Sequence, residues 1–388
     1  MNTLICLLSG QAAPNLQVCV KLAPERILLV ETGWTRKENS AQKFLKACEY
    51  LKIHAEHVIV ELPDGEDNNF PFLRDFFQRE LLEKYPDDRF SVSLTGGTKP
   101  MNIALYDVLK HEPNVEFYYI DFLCPNEIIN LNTNEKTPAF QKFPLQAFLA
   151  GYGFEFAKEM KNIQKAESYA TNRTETSKIL ANFCNDSKFR IWSATGNDFL
   201  AWKKKAMKAR KPQTIEPGIL HPTIPEVTQA LAARFHLTVD KNGDLVGTLT
   251  KYDIQYLDGG WLEEFIWTTL RKFQKQYHLT DLRLGLEIRQ FGSSTSNELD
   301  ISFMRNNTFH VMECKTGLQD KMQDNTYKIF AVTKQLQALR TQAYLISNSP
   351  NLETVVGRAE TQRTVLINAE SIRNLAINPK EELDKIFK

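Results

Sequence analysis

Two short stretches place carboxylates and a lysine where they can activate water beside a phosphate: Asn297-Glu298-Leu299-Asp300-Ile301-Ser302 and Val311-Met312-Glu313-Cys314-Lys315. Both read as strands, ELDISF and FHVMECK, joined by a turn at Arg305-Asn306-Asn307. Side chains alternate faces along a strand, so Glu313 and Lys315 point one way and Cys314 the other. Glu298, Asp300 and Ser302 likewise share a face. Pairing the strands therefore brings Asp300, Glu313 and Lys315 together. Crowded carboxylates repel one another, and a hard divalent cation such as Mg or Mn relieves that repulsion. A neighbouring lysine can position or deprotonate water, or balance charge on a phosphorane-like transition state. Ile301, Phe303 and Val311 mark the hairpin as buried, and charges on a buried hairpin need a reason.

This pattern resembles the PD-(D/E)xK nuclease superfamily, with Asp300 as the Asp and Glu313-Cys314-Lys315 as the ExK. Leu299 stands where the motif's name has Pro, a departure that leaves the chemistry untouched. Upstream, Trp261-Leu262-Glu263-Glu264-Phe265-Ile266-Trp267 starts a helix after Gly259-Gly260. Helical spacing sets Glu263 beside Ile266, Trp267 and Leu270, on the apolar face, and Glu264 on a more solvated side. The resemblance implies that Glu263 joins the metal shell as a helix carboxylate, with the Cys314 backbone carbonyl as a further ligand. Tyr327, Ala331, Lys334, Gln335 and Ala338 form a downstream helical stripe from which Lys334 and Gln335 can face the site.

The elements that position these residues need two or three domains, which 388 residues supply. Net charge is +1, from 48 Lys+Arg and 47 Asp+Glu, which argues against a strongly electrostatic DNA-packaging protein. The balance hides an asymmetry: 15 basic and 20 acidic residues over 1–146, 16 and 12 over 147–258, 17 and 15 over 259–388. The basic excess lies where a polyanionic substrate would sit. Six scattered cysteines without a CxxC pair read as reduced thiols of a cytoplasmic protein. Seven histidines show no zinc spacing. Met1–Leu8 is too short for a signal peptide or a membrane span, so no membrane partner is expected.

Residues 1–146 alternate apolar runs (Leu4–Ser9, Ile27–Thr32, Val58–Leu62, Phe90–Leu94, Phe117–Ile120) with helical patterns at Ser40–Leu51, Phe70–Lys84 and Pro100–Lys110. That rhythm predicts a mostly parallel sheet flanked by helices, a Rossmann-like α/β domain. One strand runs into Thr95-Gly96-Gly97-Thr98-Lys99-Pro100-Met101-Asn102, where Pro100 takes a favoured first-turn position. Amides at such a helix start attract phosphate, and Lys99 adds a full charge. The run is neither a Walker A loop nor GxGxxG. Ser9-Gly10-Gln11 and Thr32-Gly33-Trp34-Thr35 follow two other strands, at the ends where open α/β sheets bind ligands.

Leu94-Thr95-Gly96-Gly97-Thr98-Lys99-Pro100-Met101 resembles the ligand-binding motif of CARF domains. A CARF domain followed by a PD-(D/E)xK domain resembles the Card/Can nucleases of type III CRISPR defence, over nearly the whole chain. The resemblance implies a homodimer that binds cyclic oligoadenylate, usually cyclic tetra-adenylate, across its two-fold axis. It places Ser9, Gln11, Thr35 and the turn Thr95, Gly96, Gly97, Thr98, Lys99, Met101 and Asn102 near that ligand. A symmetric ring of phosphates fits an isologous dimer that offers each basic turn twice.

Between the two ends, residues 160–184 read as helical. Ala201–Lys211 carries Lys203, Lys204, Lys205, Lys208, Arg210 and Lys211, either a phosphate-contacting patch or a solvated helix face. Pro222–Phe235 reads as a helix, and Leu237–Leu249 as a hairpin with an Asn-Gly turn, together a small winged-helix-like connector. The expected organisation is a CARF domain over 1–146, the connector over 147–258 and a restriction-endonuclease-like domain over 259–388. The function this implies is a metal-dependent endonuclease, activated by cyclic tetra-adenylate, that cuts single-stranded RNA or DNA or nicks duplex DNA. Two other readings are a ligand-sensing regulator that binds DNA, for which the intact Asp300, Glu313 and Lys315 serve no purpose, and a ligand-independent restriction or repair nuclease, which leaves the Thr95–Asn102 turn unexplained.

Overall fold

The computed structural model describes residues 1–121, 124, 126–139, 143–192, 197–209, 211–316, 341–349 and 364–388, without the side chains of 197–201. Its N-terminal part is built on β1 (Asn2–Leu7), β2 (Arg26–Glu31), β3 (Glu56–Glu61), β4 (Arg89–Ser93), β5 (Glu116–Tyr119), β6 (Glu127–Asn130) and β7 (Glu135–Pro138). They form one sheet in the order β3-β2-β1-β4-β5-β6-β7. The first five pair in parallel, and β6 and β7 extend the edge as an antiparallel hairpin. β1 and β2 are buried almost end to end, as a sheet covered by helices on both faces requires. The expected Rossmann-like domain is therefore present, with a hairpin the sequence does not advertise. Each of its strands has only four residues, and Glu135-Lys136-Thr137-Pro138 carries no apolar alternation. The chain leaves β1 toward β2 and β3 on one side, then returns to β4 and β5 on the other. Connections after β1 and β4 thus run in opposite directions and open a crevice between them.

The C-terminal sheet has six strands in the order β16-β15-β14-β13-β12-β8. They are β8 (Phe154–Phe156), β12 (Thr280–Gln290), β13 (Ser296–Arg305), β14 (Thr308–Lys315), β15 (Thr341–Ser347) and β16 (Thr364–Ile367). β12, β13 and β14 pair antiparallel, whereas β14, β15 and β16 pair in parallel. Within the span 147–258, β8 thus belongs to the C-terminal sheet, with Phe156 opposite Ile288. It follows directly on the helix Leu145–Gly151, which packs on the helix Ser40–Leu51 of the N-terminal domain. Gly151 permits close approach to the helix Ala13–Leu22 as well: a Cβ there would stand 3.1 Å from Ala12 Cβ and 3.2 Å from Leu16 Cδ1. One apolar core consequently runs from Leu4, Leu16 and Phe44 through Phe148 to Leu286, Ile288 and Phe309. The two ends of the chain share packing and do not hang on a free tether.

The remaining strands, β9 (Gln213–Ile215), β10 (Thr238–Val239) and β11 (Leu245–Leu249), form a small sheet in the order β10-β11-β9. Asn242-Gly243 turns the predicted hairpin, and Gly243 has a φ of 88° that other residues resist. The helix expected over 160–184 divides into Met160–Asn172 and Thr174–Phe183 at Arg173, whose φ and ψ are −107° and 7°. The stripe from Tyr327 to Ala338 lies outside the described residues. Among the described residues, no helix is long and apolar enough to cross a membrane.

Candidate active site and ligand-binding turn

Ile301 sits opposite Met312 in the register, and Asp300 and Glu313 are the residues next beyond that pair. The Cys314 amide donates to Asp300 Oδ2 at 2.8 Å, which locks that carboxylate against β14. Lys315 Nζ stands 2.6 Å from Glu313 Oε1 and 3.9 Å from Asp300 Oδ2. The Cys314 thiol is buried and pushed far above the usual range, first by that burial and then by Asp300. The expected meeting of Asp300, Glu313 and Lys315 is thus present.

The helix Trp261–Phe273 supplies Glu263 from across the cleft. Burial, then the charge of Asp300, then that of Glu298, hold the Glu263 carboxyl well above the ordinary carboxylate range. Burial first and Glu313 second raise Asp300 to about 7. Burial alone would pull the Lys315 ammonium down, but Glu313 and Asp300 outweigh it and keep it above the usual lysine value. Three carboxylates therefore crowd around one ammonium. Glu313 Oε1 is buried and, although close to Lys315, receives no well-directed hydrogen bond. An under-satisfied oxygen among crowded carboxylates is a donor set with the hardness that Mg or Mn prefers. As placed, no group of three or more His, Cys, Asp or Glu side chains stands in ligating geometry among the described residues.

Glu264 departs from expectation. It is not solvated: Arg173 Nη1 reaches its Oε1 at 3.0 Å, and burial raises it to about 7. Helical spacing set it on the more solvated side of its own helix, but the helices Met160–Asn172 and Thr174–Phe183 pack over that side. Arg173 Nη2 also reaches Asp253 Oδ1 at 2.6 Å, and its guanidinium lies 4.8 Å from the Tyr256 ring. Sequence reading missed Arg173, because an isolated arginine carries no motif. It missed Lys158 for the same reason; that ammonium follows β8 into the cleft, 3.1 Å from the Gly285 carbonyl and 3.9 Å from Glu298 Oε1. The cleft that contains Glu263, Cys314 and Lys315 has a volume of about 1060 Å³. Of the basic run, Lys203 lines it and pairs with Asp258. Lys204, Lys205, Lys208 and Lys211 are exposed, and Arg210 lies outside the described residues.

In the N-terminal domain, Ser9–Gln11 and Thr95–Asn102 follow β1 and β4, the two strands that border the crevice. Thr98 caps the helix Lys99–Leu109, accepting from the Met101 amide and donating to the Asp67 carbonyl at 2.7 Å. Asn102 Nδ2 ties back to the Gly96 and Thr98 carbonyls at 2.6 and 2.9 Å, while its buried Oδ1 has no partner. Thr95 Oγ1 accepts from the Ile120 amide. Lys99 is exposed. Gly96 is demanded by the sheet itself, since a Cβ there would lie 2.0 Å from the Leu7 carbonyl oxygen. Two expected residues point elsewhere. The Met101 side chain is fully buried in the core. Thr35 is buried as well, and its hydroxyl closes a capping box with Thr32, so it has no open face. Trp34 beside it is 56% exposed and lies against Gly10, where a Cβ would meet Trp34 Cη2 at 3.3 Å. Gln11 faces a cavity between the two ends of the chain, where its Oε1 accepts from the Tyr152 hydroxyl at 3.1 Å.

Residues 3–148 match the Card1 CARF domain, and residues 250–383 match the Card1-like endonuclease domain. The chain belongs to the Card1-like CARF nucleases. Its C-terminal sheet is an endonuclease domain, and its N-terminal sheet a CARF domain. The fold is shared with Can2 from Sulfobacillus thermosulfidooxidans, solved in complex with cyclic tetra-adenylate, at 22% identity and a TM-score of 0.72 over 100% of both chains. Protein VC1899 from Vibrio cholerae is similar at 19% identity and a TM-score of 0.74, over 100% of this chain and 98% of that one. A type III CRISPR defence DNA nuclease activated by cyclic oligoadenylate matches at 14% identity and a TM-score of 0.50, over 89% of this chain but 45% of its own. No curated protein matches the chain significantly in sequence.

Proposed function

We propose that this chain is a homodimeric, metal-dependent endonuclease of type III CRISPR defence, switched on by cyclic tetra-adenylate and acting on single-stranded RNA or DNA. The observation that carries the reading is the joint presence of a phosphate-ready turn at the crevice of the CARF sheet and the Asp300–Glu313–Lys315 cluster of the endonuclease sheet. The division into 1–146, 147–258 and 259–388 is part of the proposal, with β8 assigned to the last unit.

Glu263, Asp300, Glu313 and the Cys314 carbonyl would hold Mg or Mn, whose chemistry is to acidify bound water and neutralise the scissile phosphate. Lys315 orients the attacking water and supplies positive charge beside the phosphate. In the CARF domain, Ser9, Gln11, Thr95, Thr98, Lys99 and Asn102 receive the cyclic phosphates, with backbone contributed by Gly96, Gly97 and Met101. Ile103 and Tyr106, 58% and 46% exposed on one side of the helix after the turn, suit a two-fold dimer face.

Activation requires that the ligand bind one arrangement of the two domains more tightly than another. A packed route joins them: Gln11 to Tyr152 by hydrogen bond, Tyr152 to Phe148 at 5.1 Å between ring centroids, and Phe148 to Phe309 at 6.0 Å. Phe309 lies on β14, which also carries Glu313 and Lys315. Tyr152→Phe removes only the hydroxyl, so the ligand should still bind while ligand-stimulated cleavage falls about tenfold, a loss of roughly 1.4 kcal/mol within the usual range of coupling energies. Unchanged stimulation would remove this route from the mechanism.

The deciding experiment is cleavage of labelled single-stranded RNA and DNA with Mn²⁺, with and without cyclic tetra-adenylate. Ligand-dependent cutting is expected, and cutting indifferent to the ligand would leave a plain nuclease. Lys99→Ala removes a charge-assisted contact worth about 1.5–3 kcal/mol, so cyclic tetra-adenylate should bind roughly 10- to 150-fold more weakly by calorimetry. Unchanged affinity would refute the assigned pocket.

A further inference from the structure

The endonuclease cleft holds a feature that the metal and lysine chemistry does not use. Lys165 and Tyr169 lie four residues apart on the helix Met160–Asn172, and Arg173 follows at the next such step, so all three face one side. Tyr169 stacks on Tyr252, with ring centroids 5.4 Å apart and planes 27° from parallel. Lys165 Nζ stands 5.1 Å from the Tyr252 centroid, and the Arg173 guanidinium 5.2 Å from that of Tyr169. All four side chains line the same cleft as Glu263, Cys314 and Lys315.

Two properties separate this pair from an ordinary packing contact. Tyr252 remains 46% exposed and lines the cleft, so it is not spent in the core. Its position is nevertheless fixed. Tyr252 sits inside a Thr250–Asp253 capping box, and Asp253 is held by the buried Arg173. An exposed aromatic ring on an anchored backbone beside cations in a cleft is an arrangement that receives an unpaired nucleobase. Every base offers a π-face to stack, and the cations take the adjoining phosphates. A base within a duplex is already stacked on both sides and cannot reach such a ring without being extruded.

We infer that Tyr252, backed by Tyr169 and Lys165, is a stacking subsite for an unpaired base of the nucleic acid cut at the Asp300–Glu313–Lys315 cluster. This rests on the endonuclease reading and deepens it by assigning a base-binding position within the cleft that Lys315 also lines.

The test is binding of the full-length chain to labelled dodecamers, followed by fluorescence anisotropy in EDTA so that cleavage does not intervene. The probes are oligothymidylate, oligouridylate and a deoxyribose dodecamer that lacks bases. Tyr252→Ala should weaken oligothymidylate, oligouridylate or both by about 5- to 150-fold, the range for loss of one stacked base. It should leave the abasic strand unchanged, and Tyr252→Phe should bind like the natural chain. Equal affinity of Tyr252→Ala and the natural chain for base-bearing strands would overturn the proposal. So would a parallel loss on the abasic strand, which would mark the ring as structural, or failure of the natural chain to bind any of the probes. Cleavage with Mn²⁺ is read separately: a base-dependent binding defect in a chain that never cuts would keep the subsite and discard the nuclease reading.

Discussion

Lys315→Ala should lower strand cleavage by about 10²- to 10⁴-fold while cyclic tetra-adenylate binding stays intact, the range expected when a positioned proton-transfer group is removed. The ammonium is the only cation within ion-pairing distance of Glu313 and Asp300 among the described residues, at 2.6 and 3.9 Å. Deleting it removes the group that orients water and leaves crowded carboxylates with less counter-charge. Lys315→Arg separates the two effects. A guanidinium keeps the charge but does not deprotonate, and its planar fork presents donors with different geometry. If Lys315 acts chiefly as counter-charge, the arginine variant recovers much of the lost rate. If it handles the proton, the arginine variant stays near the alanine level. Single-turnover cleavage of a labelled oligonucleotide, alongside calorimetric titration of the ligand, measures both quantities. Natural turnover in Lys315→Ala would take this lysine out of the mechanism.

Arg173→Ala should destabilise the fold by about 3–5 kcal/mol in urea titration, the cost of leaving buried charge unpaired. Arg173 is 3% exposed and joins three segments: its own helix break, Asp253 on the helix Lys251–Gln255, and Glu264 on the helix Trp261–Phe273. Tyr169, Phe235 and Tyr256 surround the guanidinium at 5.2, 5.6 and 4.8 Å. Without it, Glu264 has lost the partner that opposes its burial. Arg173→Lys should recover only part of the loss, because one ammonium cannot serve both carboxylates with the geometry of a planar fork. Arg173→Ala with Glu264→Gln should be less destabilised than Arg173→Ala alone, since the buried charge is then absent. A loss under about 1 kcal/mol for Arg173→Ala would show the network to be solvated and weak.

Local residue patterns were enough to read the chemistry and the principal frames. Alternation along ELDISF and FHVMECK was enough to bring Asp300, Glu313 and Lys315 together, because the two-residue period of a strand is local. The strand–helix rhythm of the first half likewise gave the Rossmann-like sheet, and the apolar helix face placed Glu263 toward the cleft. Local rules failed wherever a distant segment supplied the environment. Glu264 looks solvated on its own helix, yet Arg173, ninety-one positions earlier, buries and pairs it. Thr35 and Met101 stand in the right segments, but capping and core packing turn their side chains away from the crevice. Gly96 and Gly97 look like phosphate-loop glycines, yet each is required where the turn presses against Leu7, the last residue of β1. The strand Phe154–Phe156 is three residues long and carries no periodicity, so only its hydrogen bonds to β12 reveal that it ties the linker to the nuclease sheet. The Tyr169–Tyr252 stack and Lys158 belong to the same class. Their roles rest on contacts between residues more than eighty positions apart, which side-chain period and composition do not encode and which tertiary packing alone decides.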